Sequence, residues 1–465
     1  MENFEVVVVG AGPGGYPAAI RAAQLGAKAA IVEREQLGGT CLNWGCIPTK
    51  ALLACGSLYS EFKRAREFGL AAGAVSADWP AMLARKDGIV LRLRGGIEQL
   101  LKANGVTLFR GQAAFTGPKS LAVSGPSGKT ELTAAKIILA TGSTAAFPGF
   151  LPRHPRVVES RAFLDRKPLP KSALVLGGGV IGCEFACLLA QLEVQVTVVE
   201  LLEDLLVLQL DPDARREVRR NMEGPLGIRV LCGKPLEEIQ AGEEGVKGRC
   251  GGESLAAEML LVAVGRQPVT DGLNVEQAGL KRNGKGFLEV DEYGRTSAAH
   301  VFAVGDVNGG IQLAHNATSQ GLIAAENAVS KKLRRYDRLT PSCIFTAPEA
   351  AAVGLSETEA EAKKIAARTG KFSFGALGKA LASGQAAGFV KWIADAESDR
   401  LLGAAAVGPH ATELIAEAGA AIRAEMTARE LGRTMHAHPT LSEAWMEAAH
   451  VLHGEAIHHA PRRRG

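Results

Sequence analysis

No apolar run in this sequence approaches the roughly 18 residues that a membrane-crossing helix needs, which excludes a helical membrane protein. Charge of one sign is also missing. Lys and Arg number 53 against 49 Asp and Glu, and the net +4 is spread along the chain. That excludes the basic stripe of a nucleic-acid binder. The single basic run, Arg462 to Arg464, reads as a solvated tail. No secretory leader precedes the first strand pattern at Glu5 to Val9, so a cytoplasmic location is the expectation. Cysteine is scarce, with 8 in 465 residues. Inside a cell these are expected as thiols or catalytic groups, not as a disulfide framework. Six are scattered, namely Cys55, Cys183, Cys187, Cys232, Cys250 and Cys343, and read as small buried hydrophobes.

What is abundant is glycine, at 55 residues, in a chain 47% hydrophobic and 22% charged. This is globular composition, and the length predicts about three domains. Val6 to Val9 is a β-branched run closed by Gly10, which suits a strand buried on both faces of a parallel sheet. A helix from Gly14 to Leu25 and a strand from Ala29 to Glu33 complete a βαβ unit. The pattern recurs 167 positions later: strand Ala173 to Leu176, turn Gly177 to Gly182, helix Glu184 to Leu192, strand Gln195 to Glu200. Lys136 to Ala140, Met259 to Val264 and Val301 to Val304 read as further strands. Phe147 to Pro170, with five prolines, reads as a connection into the second domain. Past Pro341 the glycine-rich turns thin out. There Glu357 to Arg368 reads as a helix, Phe389 to Ala394 as a strand and Ala411 to Glu425 as a helix, together a separate α+β domain.

Two glycine loops carry nucleotide chemistry. Gly10, Gly12 and Gly15, with Pro13 and Gly14 between, match G-x-G-x-x-G after a strand and at a helix start. Small residues there let the backbone approach a pyrophosphate seated on free helix N–H groups. Glu33 follows 18 positions after Gly15, where a carboxylate accepts from a ribose 2′-hydroxyl. Gly177, Gly179, Val180, Ile181 and Gly182 repeat the loop, and Glu200 repeats the acid at the same interval. An acid at Glu200 repels the extra phosphate of NADP, and no arginine pair follows it, so NAD is favoured.

The segment from Gly38 to Lys50 carries Cys41 and Cys46 five positions apart. On a regular helix that spacing separates Cα atoms by roughly 8.6 Å, whereas a disulfide needs under about 6.8 Å. If the two are bonded, the helix must begin irregularly, and Gly45 is placed to allow it. The spacing alone is equally consistent with two unrelated buried thiols. The flanking glycines, Pro48 and Lys50 favour a redox pair. Lys50, four positions past Cys46, shares its helical face and can hold a thiolate or an anionic flavin.

This segment resembles the active site of the dihydrolipoamide dehydrogenases, in the disulfide-containing flavoprotein reductase family. The resemblance spans nearly the whole chain. It takes in both glycine loops, Ala140-Thr141-Gly142-Ser143, Glu184, Val264-Gly265-Arg266, Phe302 to Asp306, Leu313-Ala314-His315, and His436 to Glu443. It implies FAD on the first loop, with Glu33, Gly39, Thr40, Ala113, Thr141, Gly142 and Ser143 around it. Asp306 would bind the ribityl chain, and Leu313, Ala314 and His315 would border the flavin. It implies NAD on the second loop, with Gly265 nearby. Cys46 would be the thiolate facing the flavin and Cys41 the sulfur exchanging with substrate. Lys50 would approach the flavin ring and pair with Glu184. His438, oriented by Glu443, would be the acid–base, supplied by the other subunit of a homodimer. The partner implied is a lipoyl-bearing domain of a 2-oxoacid dehydrogenase or glycine cleavage complex, with no nucleic acid and no membrane. Ala347 departs from the family, which commonly has His before Pro348-Glu349.

A glutathione-type reductase is disfavoured by Glu200 and Ile47-Pro48-Thr49, and a mercuric reductase by the lack of any cysteine after Cys343. A sensor or scaffold flavoprotein has no need to keep both the cysteine pair and the His438–Glu443 pair. A metal site at His436 and His438 lacks a neighbouring ligand cluster, so no metal is expected. The expected fold is α/β, with two Rossmann-like dinucleotide-binding domains plus a C-terminal α+β dimerisation domain. Its boundaries are 1–148 for FAD and the redox pair, 149–267 for NAD, 268–340 completing the FAD site and 341–465 for the interface.

Overall fold

The computed structural model describes residues 2–71, 73–126, 128–330 and 332–458. His459 and the Arg462 to Arg464 run lie outside them.

The first sheet is built around the strand Glu2–Val9, whose residues from Val6 onward are all buried. Ala29–Glu33 and Gly128–Leu139 flank it in parallel. Gly128–Leu139 is 12 residues long, more than twice the Lys136 to Ala140 strand expected. Its first half forms a hairpin with Ser120–Gly125, and its second half is covered by Glu2–Val9 and by Val301–Ala303. Hence only the second half carries the unbroken apolar signal of a central strand. The second sheet is parallel, in the order Arg229–Cys232, Gln195–Glu200, Ser172–Leu176, Met259–Val262, Val157–Glu159. Its last strand lies inside the proline-rich stretch, so Phe147 to Pro170 is more than a connection: it supplies an edge strand.

The third sheet is antiparallel, in the order Ser342–Ile344, Glu349–Gly354, Leu401–Gly408, Phe389–Asp395, Ala367–Ser373. One face packs on the helices Ala411–Arg423 and Glu443–His453 around Trp392 and Trp445, whose ring centroids are 4.7 Å apart. The expected helix from Glu357 to Arg368 is half as long. A Ser356 capping box starts it and it ends at Ala362. Lys364 then takes a left-handed conformation at φ 56°, and Ala367–Ser373 runs as a strand against Phe389–Asp395. The acidic start set the helix, but alternate burial of Gly370 and Phe372 beyond it is a strand pattern. The helix expected from Glu184 starts earlier, at Val180, inside the glycine loop.

Of the six scattered cysteines, Cys183, Cys187 and Cys250 are buried, but Cys55, Cys232 and Cys343 are only half-buried. The reading of all six as buried hydrophobes is therefore corrected for three.

Candidate functional site

The two glycine loops are built alike, contact for contact. Glu33 accepts from the amides of Ala11 at 2.7 Å and Glu35 at 2.8 Å. Glu200 accepts from the amides of Gly178 and Leu202. Each acid thus ties its strand end to its loop, and both line one cavity. The close packing explains the glycines. A Cβ at Gly10 would lie 2.4 Å from the carbonyl oxygen of Ala140, and one at Gly177 the same distance from that of Ala263. A Cβ at Gly15 or Gly182 would lie 1.8 or 1.9 Å from the carbonyl oxygen of Gly10 or Gly177. Both helices therefore reach their loops at a distance no side chain allows, which brings free N–H groups to the cavity.

The segment after the first loop breaks at Gly45, the position that the sequence offers for it. Gly39–Trp44 and Cys46–Lys63 are separate helices, joined at Gly45 with φ −138° and ψ −114°. A Cβ there would lie 3.0 Å from the Thr40 oxygen and 3.2 Å from Cys41 Cα. Both thiols are free, and that of Cys41 hydrogen-bonds the Cys46 sulfur. Accepting this bond is the main cause that lowers the Cys46 pKa to about 7; burial opposes it and the Lys50 charge assists. Cys41, as donor, is pushed well up. Within the pair, Cys46 is the thiol whose proton is held less tightly.

Lys50 Nζ donates to both oxygens of Glu184, at 2.9 and 2.8 Å. Glu184 is buried and also accepts from the Phe345 amide at 3.0 Å, and the Phe345 ring lies 4.5 Å below Lys50 Nζ. Phe345 was not anticipated from the sequence; no local pattern marks it. Arg266 closes the Val264-Gly265-Arg266 motif. It grips Ser143 through Nε to Oγ at 2.7 Å and Nη2 to the carbonyl at 2.8 Å, while Ser143 Oγ donates to Asp306. Thr141 Oγ1 donates to the Val269 carbonyl at 2.7 Å. These contacts fasten the stretch from Thr141 to Ala145 to that from Arg266 to Val269 beside Asp306.

A single cavity of about 1760 Å³ is lined by Gly10, Cys41, Cys46, Lys50, Ala113, Glu184, Glu200, Gly265, Asp306 and His315, among others. His438 and Glu443 do not line it. His438 Nδ1 lies 2.8 Å from Glu443 Oε1, and its side chain is 79% exposed. Burial alone would push the Glu443 carboxyl up, but the Thr440 amide and His438 outweigh it and hold it below the usual range. His436 has both ring nitrogens engaged, by Glu417 at 2.7 Å and the Thr434 carbonyl at 2.8 Å. The bond to Glu417 raises its pKa. Near Ala347, Glu349 accepts from the Thr412 amide at 3.1 Å and hydroxyl at 2.7 Å.

Residues 4–321 match the family described as pyridine nucleotide-disulphide oxidoreductase, and residues 340–449 match its dimerisation domain. Among curated proteins, the dihydrolipoyl dehydrogenase of Chlamydia muridarum is 40% identical, covering 100% of both chains. That of Halobacterium salinarum is 43% identical over 98% of this chain and 97% of its own. Among solved structures, LpdA from Mycobacterium tuberculosis superposes with a TM-score of 0.89 at 28% identity, covering 97% of this chain and 99% of its own. The HOCl-induced flavoprotein disulfide reductase RclA of Escherichia coli, as its Cu(II) complex, gives a TM-score of 0.87 at 28% identity, over 97% and 99%. The paired glycine loops, the cysteine pair and the dimerisation fold thus come from one lineage: the chain belongs to the pyridine nucleotide-disulphide oxidoreductase family.

Proposed function

We propose that the protein is a dihydrolipoyl dehydrogenase, oxidising a protein-bound dihydrolipoyl group and reducing NAD. The observation that carries this is the helix break at Gly45, which sets Cys41 against a Cys46 thiolate beside the Lys50–Glu184 pair. The site residues named from the sequence are assigned on the same basis. Segments 1–148 and 268–340 hold FAD, 149–267 holds NAD, and 341–465 is the interface of a homodimer working in the cytoplasm.

The oxidised enzyme carries the Cys41–Cys46 disulfide. A substrate thiolate attacks Cys41, forming a mixed disulfide and releasing Cys46 as a thiolate. The second substrate thiol then attacks the substrate sulfur of that mixed disulfide, closing the lipoyl ring and freeing Cys41. His438 accepts the proton that each attacking thiol gives up, and Glu443 on its Nδ1 fixes the ring so that Nε2 faces the substrate. The low pKa of Cys46 makes it the better leaving group. FAD, when bound, carries the electron pair from the dithiol to NAD. The first loop fits it, because Gly10 and Gly15 keep the backbone clear and Asp306 is held ready by Ser143. Glu200 would accept from the ribose 2′-hydroxyl of NAD and repel the 2′-phosphate of NADP.

The test is NAD reduction assayed with dihydrolipoamide beside glutathione and dithiothreitol on the purified yellow protein. Preference for dihydrolipoamide with NAD is expected. Equal use of NADP, or no turnover of dihydrolipoamide, overturns the reading.

A further inference from the structure

The cavity that holds both glycine loops runs on past segment 201–211. It enters the seam where the helix Pro212–Glu223 packs on the third sheet, and there Asp211, Arg215, Leu355, Ser356, Thr358 and Ile393 wall it. The acids of this seam are already engaged. Lys391, whose side chain is 1% exposed, lies 3.0 Å from Asp211, 2.8 Å from Asp213 and 3.4 Å from Glu357. Asp211 also accepts from the Glu357 and Thr358 amides and the Thr358 hydroxyl, and Asp213 takes Lys371 as well.

Arg215 is left over. Its side chain is nine-tenths buried. Among the described residues, its Nε and Nη1 have no hydrogen-bond partner. Glu203 is the carboxylate that comes within reach, 3.9 Å from Nη1, and Glu203 is itself 79% exposed. A guanidinium presents a planar fork of donors matched to two oxygens of one anion. Buried with two such donors unpaired, it is unfavourable until an acceptor reaches it.

We propose that Arg215 is the counter-charge of a small oxyanion site in this seam, taking two oxygens of one phosphate group in its fork. The site opens into the same cavity as the second glycine loop, which Gly177, Gly178 and Gly179 also line. The phosphate is therefore either free in solution or part of the bound dinucleotide.

Thermal unfolding of the full-length holoprotein separates these sources. Inorganic phosphate, compared with chloride at equal ionic strength, should raise the midpoint of the natural protein by about 1–3 °C, and that of Arg215→Lys, which keeps the charge but not the fork, by less. It should leave Arg215→Met unmoved, with NAD acting equally on all three. If phosphate does nothing but the shift produced by NAD falls in Arg215→Met, the acceptor is a phosphate of the dinucleotide, and the site stands. If phosphate and NAD both act on Arg215→Met as on the natural protein, Arg215 is a hydrated cation only and the proposal is overturned. Should the methionine variant misfold, Arg215→Gln, which keeps a polar side chain, serves the same comparison.

Discussion

At the scale of single residues, the site works by making two identical side chains unlike. Cys41 and Cys46 differ because one donates the hydrogen bond and the other accepts it, next to the Lys50 cation. In the reduced protein, alkylation of Cys46 should therefore follow a thiolate that forms near pH 7. Cys41→Ser should keep that midpoint, since a hydroxyl still donates. Lys50→Met should raise it by about one unit or more, because a cation that favoured the thiolate is gone. A midpoint of 9 in the natural protein, or none moved by Lys50→Met, would contradict the geometry. The roles proposed for His438 and Glu443 are separable in the same way. His438→Ala should cut dithiol oxidation by roughly 10²–10⁴-fold, as loss of a general acid–base does. Glu443→Gln should cut it less, since Glu443 orients the ring without exchanging the proton; steady-state rates at constant FAD content check both.

At the scale of elements, the two nucleotide loops repeat one device, so equivalent substitutions should have separable effects. Gly15→Ala places a methyl 1.8 Å from the Gly10 oxygen, and Gly182→Ala places one 1.9 Å from the Gly177 oxygen. Each must push its helix away from its loop. Gly15→Ala should give a protein depleted of FAD. Gly182→Ala should stay yellow and keep its reaction with dithiol, yet lose at least about tenfold in kcat/KM for NAD. Visible absorbance and NAD kinetics on both variants decide it; a Gly182→Ala protein with unchanged NAD kinetics refutes the assignment of the second loop. Element boundaries were legible where apolar runs or glycines marked them, as at Ala29–Glu33 and Gln195–Glu200, found as expected. They failed past Ala362, where the helix expected to run to Arg368 stops, the chain turns at Lys364, and Ala367–Ser373 pairs with Phe389–Asp395.

At the scale of the whole molecule, the placement of His438 makes the proposed site depend on the dimer. His438 is exposed and lies off the cavity that holds the cysteines. If the partner subunit supplies it, mixing Cys41→Ser and His438→Ala subunits should recover activity from two nearly inactive parents. Half of randomly mixed dimers are hybrids with one intact site of two, so about a quarter of the natural rate is expected. No recovery, with subunit exchange shown by mass, would put His438 in the same chain as its cysteines. The seam between the second and third sheets is held by charge. Lys391 is buried with Asp211, Asp213 and Glu357 around it, so Lys391→Met strands those carboxylates. It should lower stability by about 3–5 kcal/mol in denaturant unfolding, and adding Asp211→Asn and Asp213→Asn should recover part of that. A neutral Lys391→Met would show that the network contributes nothing.

The sequence by itself determined the chemistry that depends on near neighbours. The glycine loops, the acids 18 positions beyond them and the allowance for a break at Gly45 are local stereochemistry. Only glycine fits where backbones touch, and five helical positions are too long for two sulfurs to bond without a break. The tertiary structure decided what joins distant segments. Phe345 closes on Glu184 across 161 positions, and Lys391 meets Asp211 across 180. A lysine or an aspartate looks the same in a sequence whether it faces water or a buried partner. The difference is made only when two sheets and a helix pack around it and exclude the solvent.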